Sequence, residues 1–347
     1  MTPLPRGYRL GRYQIDGVLS EAGNFCIVYR GAEVGGDGRE LAIKEFAPGD
    51  KAFRQGMQIQ VTPGHREDFD WALRRFADEG RFLATERHPN VVRAVDSFSL
   101  NATHYIAMEL LAGGSLSDRI RARGAQTMGE VLQWLRPIVT ALEDLERRGC
   151  SHLDVSPNNI MFRSTGEPVL IDFGFAKLGP KIQSKPSRII FTDHYSAPEK
   201  KTKTSRDLNA RSDVYSLAMV INYALTGIEP LDAGDRLTFK DTGAVTEKAA
   251  RLRSQKAPPS FIALLDKAAS YKADLRFGSI RDFSRELERA ISDSVTTKKP
   301  HQQTPPQSTA TSPSAPAAWQ GHLRNPKVLL IIISALFFLL LLAIALP

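Results

Sequence analysis

Cysteine is scarce in this chain of 347 residues, which contains only Cys26 and Cys150. Two cysteines this far apart in sequence cannot form a disulfide framework or a multi-cysteine zinc site, and they favour a reducing compartment. Residues 1–17 also lack the continuous apolar run of a signal peptide. Aromatic residues make up 8% of the chain, hydrophobic residues 42% and charged residues 24%, which excludes a collagenous, wholly disordered or multi-span membrane protein.

The net charge of +8 does not indicate a nucleic-acid partner. The last 55 residues contribute +3 of this charge, because they contain four cations (Lys298, Lys299, Arg324 and Lys327) and one anion (Asp293). The rest of the chain has no basic surface studded with aromatic residues, so no nucleic-acid partner is expected.

The C-terminal part of the sequence changes character twice. Residues 292–327 are rich in Thr, Gln, Ser, Ala and Pro, which predicts a disordered linker. Residues 328–346 carry no charge, and as a helix they would rise about 28 Å, close to the hydrocarbon thickness of a bilayer. A buried core helix is the alternative, but such helices seldom lack a polar face over this length. Because Arg324 and Lys327 flank the run, we expect a single-pass cell-membrane protein whose folded part faces the cytoplasm.

The pattern of apolar residues predicts strands first and helices later. The strand candidates alternate or are rich in β-branched residues, and a Gly-Gly-Asp-Gly turn joins two of them at residues 35–38. The predicted strands are residues 13–20, 26–34, 40–46, 91–100 and 104–111, and the predicted helices are residues 68–85, 128–148, 212–225, 259–269 and 280–291. This order favours an α+β, two-lobed architecture.

Four short motifs occur in a fixed order along the chain. They are Leu41-Ala42-Ile43-Lys44 on a predicted strand, His152-Leu153-Asp154 followed by Asn159, then Asp172-Phe173-Gly174, and finally Ala197-Pro198-Glu199. Each motif alone is more often a turn or a surface pair than a functional site. Their joint occurrence in this order is very improbable by chance.

With these motifs the sequence resembles a protein kinase, and in particular the bacterial relatives of eukaryotic Ser/Thr kinases. The resemblance implies a two-lobed protein-kinase fold, α+β in class, over residues 13–291, with a disordered linker and one C-terminal transmembrane helix after it. The implied parts are an N-terminal segment at 1–12, an N-lobe at 13–107, a hinge at 108–112, a C-lobe at 113–291, the linker at 292–327 and the transmembrane helix at 328–346.

The resemblance also implies a role for each catalytic candidate. Lys44 would hold the α- and β-phosphates of ATP, and Glu79 on the following helix would orient Lys44 by an ion pair. Asp154 would accept or orient the proton of the substrate hydroxyl, while Asn159 and Asp172 would hold the metal ions. Three further acids lie close enough in sequence to be alternatives to Glu79, namely Glu67, Asp78 and Glu86.

The nucleotide-binding residues follow from the same resemblance. Met108 would be the gatekeeper, and the backbone from Glu109 to Leu111 would bind adenine. The full set of cofactor-binding candidates is Leu19, Gly23, Cys26, Val28, Ala42, Lys44, Met108, Glu109 and Leu111. Structural roles are implied for His152, which would pack beside the Asp172-Phe173-Gly174 turn, for Asp213, which would hold the catalytic loop, and for Arg276, which would anchor Glu199.

The sequence departs from the family pattern at several positions. Ser20, Ala22 and Cys26 replace glycines of the phosphate-covering loop, which makes ATP affinity uncertain, although Gly23 is kept. Cys26 is either a redox-sensitive thiol near the nucleotide or a small buried apolar residue. In the catalytic loop, Leu153 replaces the Arg that binds a phosphorylated activation segment, and Ser156 replaces a Lys that faces the transferring phosphate.

The sequence therefore predicts a Ser/Thr protein kinase that uses ATP with Mg²⁺ or Mn²⁺ and acts on protein substrates at a membrane. The alternative is a pseudokinase scaffold, which the altered glycine loop and Ser156 would favour. The sequence does not decide between a monomer and a homodimer. Residues 47–70 form an insert that is either a surface excursion or a docking element for a partner.

Overall fold

The computed structural model describes residues 1–20, 25–174, 176–178, 194–202, 208–231 and 247–296. Gly23, most of the activation segment (179–193) and the chain from residue 297 onward, with most of the predicted linker and the whole predicted membrane helix, lie outside the described residues. Among the residues that are described, no helix is both long and apolar enough to cross a membrane.

The N-terminal lobe is built on one antiparallel sheet. Its strands are β1 (Arg9–Leu10), β2 (Tyr13–Ser20), β3 (Cys26–Glu33), β4 (Glu40–Phe46), β7 (Ala94–Leu100) and β8 (Thr103–Glu109), while β5 (Ala52–Gln55) and β6 (Gln58–Val61) form a separate hairpin. The strand order in the sheet is β1-β2-β3-β4-β8-β7. Strand β4 lies in the middle and is buried on both faces after its first residue, so a side chain on β4 such as Lys44 is shielded from water.

The N-terminal segment belongs to this lobe. Residues before the predicted domain start at residue 13 also pack on the sheet, because β1 pairs with β2 and the side chains of Leu4 and Leu10 are buried. The backbone N–H of Leu4 also donates a hydrogen bond to the hydroxyl of Tyr29 over 3.0 Å. Burial of these two leucine side chains offsets the entropy lost when the segment becomes ordered. The periodicity of the sequence alone did not indicate this burial.

The insert at residues 47–70 contains the β5–β6 hairpin, which is held to the sheet by a buried ion pair. Arg54 contacts Glu45 at 2.5 Å, and their side chains are 4% and 0% exposed. Tyr29 and Tyr105 each donate a hydroxyl hydrogen bond to the same carboxylate over 2.6 Å. The insert is therefore a fixed part of the lobe, because a buried carboxylate requires partners of this kind.

Helix α1 (Arg66–Thr85) packs across the sheet through its buried residues Phe69, Phe76 and Leu83. The helix comes closest to the sheet at Gly80. A Cβ atom there would collide with the side chain of Ser97 and lie 3.1 Å from Ile106 Cγ1. Glycine at this position lets the helix approach the sheet, and the approach brings the adjacent Glu79 toward β4.

The C-terminal lobe is mostly helical. Its elements are α2 (Leu116–Arg123), α3 (Met128–Arg147), β9 (Cys150–Ser151), β10 (Ile160–Phe162), β11 (Pro168–Leu170), β12 (Lys177–Leu178), α4 (Glu199–Thr202), α5 (Ala210–Thr226), α6 (Glu247–Lys256), α7 (Pro259–Ala268) and α8 (Ile280–Thr296). Helices α2 and α3 begin with capping boxes. Nearly every residue of α5 is buried, which makes it the central helix of the lobe.

We expect that removing the cation of the buried Glu45–Arg54 pair destabilises the lobe. Arg54→Met should lower the free energy of unfolding by about 3 to 5 kcal/mol, because Glu45 would remain buried without a counter-ion. Arg30→Met is the matched control, since the Arg30–Glu40 pair is exposed and worth less than about 1 kcal/mol. Urea unfolding of both variants tests this, and equal losses would contradict it.

Candidate active site

Lys44 lies at the centre of the candidate site, where it contacts two carboxylates. Its Nζ is 2.8 Å from Oε1 of Glu79 on α1 and 3.0 Å from Oδ1 of Asp172, just after β11. The structure therefore brings together three predicted residues that are far apart in the sequence.

Glu79 is the acid that contacts Lys44, among the four acids considered from the sequence. Glu67 is exposed in the first turn of α1, and Asp78 pairs with Arg81 on the helix surface. Glu86 pairs with Arg148 at 2.8 Å. Of these four acids, Glu79 is the one that contacts the sheet, because it directly precedes Gly80, where α1 approaches the sheet most closely.

Burial and the charges of their neighbours shift the pKa values of Lys44, Asp172 and Glu79. Burial alone would lower the pKa of Lys44, but the neighbouring charges of Asp172 and Glu79 raise that pKa well above its ordinary value. Burial opposes ionisation of Asp172, yet Lys44 and the N–H of Gly174 hold the pKa of Asp172 below its ordinary value. Burial raises the pKa of Glu79 despite Lys44. The site thus contains a permanent cation beside an ionised Asp172.

Asp172 has an unusual backbone conformation that directs its carboxylate into the site. Its φ is +62°, in the left-handed region that non-glycine residues rarely adopt. The next two residues stabilise this turn, because Phe173 donates its N–H to Glu79 over 3.2 Å and Gly174 donates its N–H to Asp172 over 3.3 Å. Such strain persists where the surrounding contacts over-determine the conformation.

Asp154 and Asn159 face each other across the loop between β9 and β10. The amide nitrogen of Asn159 donates to both the carbonyl and the carboxylate of Asp154, each over 2.8 Å. The carbonyl of Asn159 accepts the N–H of Ile171 over 2.9 Å, which places this loop beside the residue that precedes Asp172. The loop and the turn after β11 therefore present Asp154, Asn159 and Asp172 to one region.

His152 and Asp213 support this loop from within the C-terminal lobe. The His152 ring packs edge-on against Phe173 with ring centroids 4.6 Å apart, and its Nε2 lies 3.0 Å from the carbonyl of Ile171. Asp213 on α5 accepts the N–H groups of His152 and Leu153 over 2.9 and 2.7 Å. Burial lowers the pKa of His152 to about 4, so the ring is neutral, and its Nδ1 accepts the backbone N–H of Asp154 over 3.1 Å.

The predicted nucleotide-binding residues line the sheet next to Lys44. In the strand register Val28 is opposite Lys44, and Ala42 is opposite Met108. Leu19 is at the end of β2 and is 38% exposed. Cys26 belongs to the hydrophobic core beside Phe46, and burial raises the pKa of its thiol to about 12, which supports the small apolar residue and not the redox-sensitive thiol.

The hinge between the lobes is held by a residue that the sequence did not indicate. Arg163, just after β10, binds the Glu109 carboxylate with two hydrogen bonds of 2.9 Å. The Glu109 side chain is therefore occupied, and its backbone N–H donates to the carbonyl of Arg93 over 3.2 Å. A lone arginine after a strand reads as a surface residue, so no sequence signal marked this contact.

The end of the activation segment is fixed by another buried ion pair. Arg276 binds Glu199 with two hydrogen bonds of 2.7 and 2.9 Å, and Ser212 donates its hydroxyl to Glu199 over 2.7 Å. The next residue, Lys200, is also buried, and its Nζ donates a hydrogen bond to the backbone carbonyl of Leu153. Sequence reasoning missed Lys200, although its position directly after Ala197-Pro198-Glu199 was visible.

Comparisons with known proteins agree with this geometry. Residues 22–287 match the family model for the protein kinase domain, so the chain belongs to the protein kinase domain family. The two-lobed fold predicted from the motifs is also supported by a solved structure described as the PpkA-294 apo form, with a TM-score of 0.69, 24% identity and coverage of 82% of this chain and 99% of that one.

Several curated relatives of the chain are bacterial Ser/Thr kinases by name. The chain is 29% identical over 238 residues to a probable serine/threonine-protein kinase of Clostridium perfringens, covering 68% of this chain and 34% of that protein. It is 29% identical over 250 residues to PknD of Mycobacterium tuberculosis, covering 70% and 36%. It is 27% identical over 284 residues to PrkC of Bacillus subtilis, covering 81% and 41%. The chain thus matches between about a third and two fifths of the length of these relatives.

We expect His152 to make stability depend on pH. Its folded pKa of about 4 is below the unfolded value of about 6.5, so the unfolded state binds more protons and stability falls as the pH drops below the unfolded value. From about pH 7.5 to about pH 5, the wild type should lose about 2 kcal/mol more unfolding free energy than His152→Phe. Urea unfolding at several pH values measures this difference, and parallel curves would contradict it.

Proposed function

We propose that the protein is a Ser/Thr protein kinase that transfers the γ-phosphoryl group of ATP to hydroxyl groups of protein substrates. The observation that carries the proposal is the simultaneous contact of Lys44 with Glu79 and Asp172, at 2.8 and 3.0 Å. Phosphoryl transfer needs a fixed cation, metal-binding oxygen atoms and a carboxylate that orients the attacking hydroxyl. Lys44, Asp172 with Asn159, and Asp154 supply these groups in that order.

The donor atoms fit ATP with a hard divalent cation. Asn159 and Asp172 offer one amide oxygen and one carboxylate, and no cluster of three or more His, Cys, Asp or Glu side chains suited to a metal occurs within the described ranges. This donor set suits Mg²⁺, which takes one or two protein oxygens and completes its shell with phosphate oxygens and water; Mn²⁺ accepts the same donors. The bound cation would neutralise charge on the phosphates as it develops.

Each catalytic residue then has a defined role. Lys44 binds the α- and β-phosphates, and Glu79 keeps its ammonium in place. Asp154 accepts or orients the proton of the substrate hydroxyl, and the amide nitrogen of Asn159 holds that carboxylate in position through the 2.8 Å bond. Asp172 and Asn159 would hold the metal ions through the oxygen atoms they present.

Adenine would bind at the hinge between Met108 and Leu111. The backbone carbonyl of Glu109 and the N–H of Leu111 are the groups proposed to contact it, because the Glu109 side chain is held by Arg163. Leu19, Val28 and Ala42 would provide the apolar walls. Gly23, a predicted residue of the phosphate-covering loop, lies outside the described ranges.

The pseudokinase alternative is not favoured. Its support came from the altered glycine loop and from Ser156, which is 1% exposed and carries no charge that would face a phosphate. Lys44 is nevertheless retained in contact with Asp172, and Asn159 is retained in contact with Asp154. These substitutions are more consistent with slow turnover than with loss of catalysis.

Asp172→Asn tests the proposed activity. This variant should reduce phosphate transfer from labelled ATP to a generic basic acceptor protein by more than about a hundredfold, or about 2.7 kcal/mol of barrier, because a metal-binding charge is lost. Asp274→Asn is the matched control, since Asp274 is exposed. Phosphoamino-acid analysis should find phosphoserine or phosphothreonine. Unchanged transfer by Asp172→Asn would overturn the proposal.

We also propose that the chain is anchored at the cytoplasmic face of a cell membrane through residues 328–346. The supporting observation is the uncharged run of Leu, Ile, Ala and Phe, preceded by Arg324 and Lys327. The linker at 292–327 would let the kinase domain sample a layer beside the bilayer, with a root-mean-square reach of about 30 to 35 Å. The anchor would raise the effective concentration of the kinase near membrane partners.

Removing residues 327–347 tests the anchor. The truncated protein should move from the membrane fraction to the soluble fraction, and its transfer rate to a soluble peptide should change less than about twofold, because the anchor only concentrates the kinase at the membrane. If the truncated protein still sediments with membranes after a high-salt wash, the anchor is wrong. If it is soluble but inactive on the peptide, the segment regulates catalysis.

A further inference from the structure

Two positions of the catalytic loop that hold cations in the kinases this chain resembles are filled by neutral side chains. Leu153 precedes Asp154 and is 5% exposed, and Ser156 follows two residues later at 1% exposed. The loop therefore has no cation of its own at either position with which to bind a phosphorylated activation segment.

Lys200 supplies a cation to this loop from the opposite direction. Its side chain comes from α4, at the end of the activation segment, and its Nζ donates to the backbone carbonyl of Leu153. Lys200 is 6% exposed. Burial lowers the pKa of Lys200, while the charges of Asp154, Asp213 and Glu199 offset part of that effect. The charges of these three carboxylates thus compensate only part of the cost of burying the ammonium beside the catalytic loop.

The support of Lys200 is rigid. Its own N–H donates to the carbonyl of Ala197 over 3.0 Å. The adjacent Glu199 is fixed by Arg276 and Ser212, with bonds of 2.7 to 2.9 Å. Because the preceding residue is held at both carboxylate oxygens, the Lys200 side chain extends from a fixed base.

Leu153 is held on both sides of its backbone. Asp213 on α5 accepts its N–H over 2.7 Å, and Lys200 donates to its carbonyl. The φ of Leu153 is +62°, a strained value for a leucine. Two opposed partners over-determine this conformation. The carbonyl of Leu153 belongs to the peptide group that also carries the N–H of Asp154, and that N–H donates to Nδ1 of His152 over 3.1 Å. Lys200 and His152 therefore fix the two ends of one peptide group and with it the backbone orientation of Asp154.

We propose that Lys200 is a positioning residue for Asp154, which orders the catalytic loop from the end of the activation segment without a phosphate group. This inference rests on the proposed kinase function. In a phosphate-dependent link the cation lies on the catalytic loop and the phosphate on the activation segment. Here the cation, Lys200, lies at the end of the activation segment and contacts a carbonyl of the catalytic loop. The contact itself requires no phosphate group.

Lys200→Met in the full chain is the central test, with Lys248→Met, an exposed lysine on α6, as the matched control. Lys200→Met should lower kcat by about ten- to hundredfold, since a buried carbonyl and nearby carboxylates lose their cation. The KM for ATP should change less than about threefold, because Lys44 and the hinge are untouched. Lys200→Arg should recover at least part of kcat by donating to the same carbonyl.

Hydrogen exchange separates this proposal from the proposed function. Amides of residues 151–156 should exchange faster in Lys200→Met than in the wild type and in Lys248→Met, whether or not the wild type phosphorylates a substrate. Phosphatase treatment of the wild type should leave its activity unchanged. Unaltered kcat and exchange in Lys200→Met, equal losses in the Met and Arg variants, or loss of wild-type activity after phosphatase treatment would overturn it. A global loss of folding in Lys200→Met, with Lys200→Arg folded but as inactive, would also do so.

Discussion

The buried ammonium group of Lys44 is the constraint that the site and the N-terminal lobe share. Removing such a charge from water is costly unless opposite charges lie within contact distance. Glu79 and Asp172 meet that need from two other elements, a helix packed on the sheet and a turn of the C-terminal lobe. The position of α1, the middle position of β4 and the strained backbone of Asp172 therefore form one arrangement, and a shift of any of them leaves a buried charge uncompensated.

The C-terminal lobe solves a related problem in another way. Its central helix α5 is almost wholly buried, and it contains Asp213, whose carboxylate accepts two backbone N–H groups of the catalytic loop. Burial raises the pKa of Asp213 to about 7 despite these donors. Asp213 thus holds the loop through its backbone, while the side chains of Asp154 and Asn159 contact each other.

Local patterns predicted the elements whose neighbours are close in sequence. Strands β2 and β4 and the start of α3 match the predicted bounds, because alternation, β-branched residues and a Thr127 cap are local signals. The predicted strand at 91–100 begins later, at Ala94, since Val92 instead donates its N–H to Leu170 over 3.0 Å.

Most of the site was visible in the sequence because each catalytic candidate belongs to a short motif. The contacts that the sequence did not predict all join distant residues. Lys200 and Leu153 are 47 positions apart, and Arg163 and Glu109 are 54 apart. A charged residue is normally read as solvated, so its burial could be inferred only after its partner was located in space. The β5–β6 hairpin was missed for the same reason, because its anchor is the side chain of Glu45 on another strand.

That hairpin restricts how the lobe can vary. Glu45 is adjacent to Lys44 on β4, and its carboxylate is fully enclosed by Arg54, Tyr29 and Tyr105. Without the hairpin, the carboxylate of Glu45 would be buried without a counter-ion. Without that carboxylate, the guanidinium of Arg54 would be buried without one. The hairpin and the charge of Glu45 should therefore change together in evolution. A related sequence that has no hairpin after β4 should also have an uncharged residue in place of Glu45.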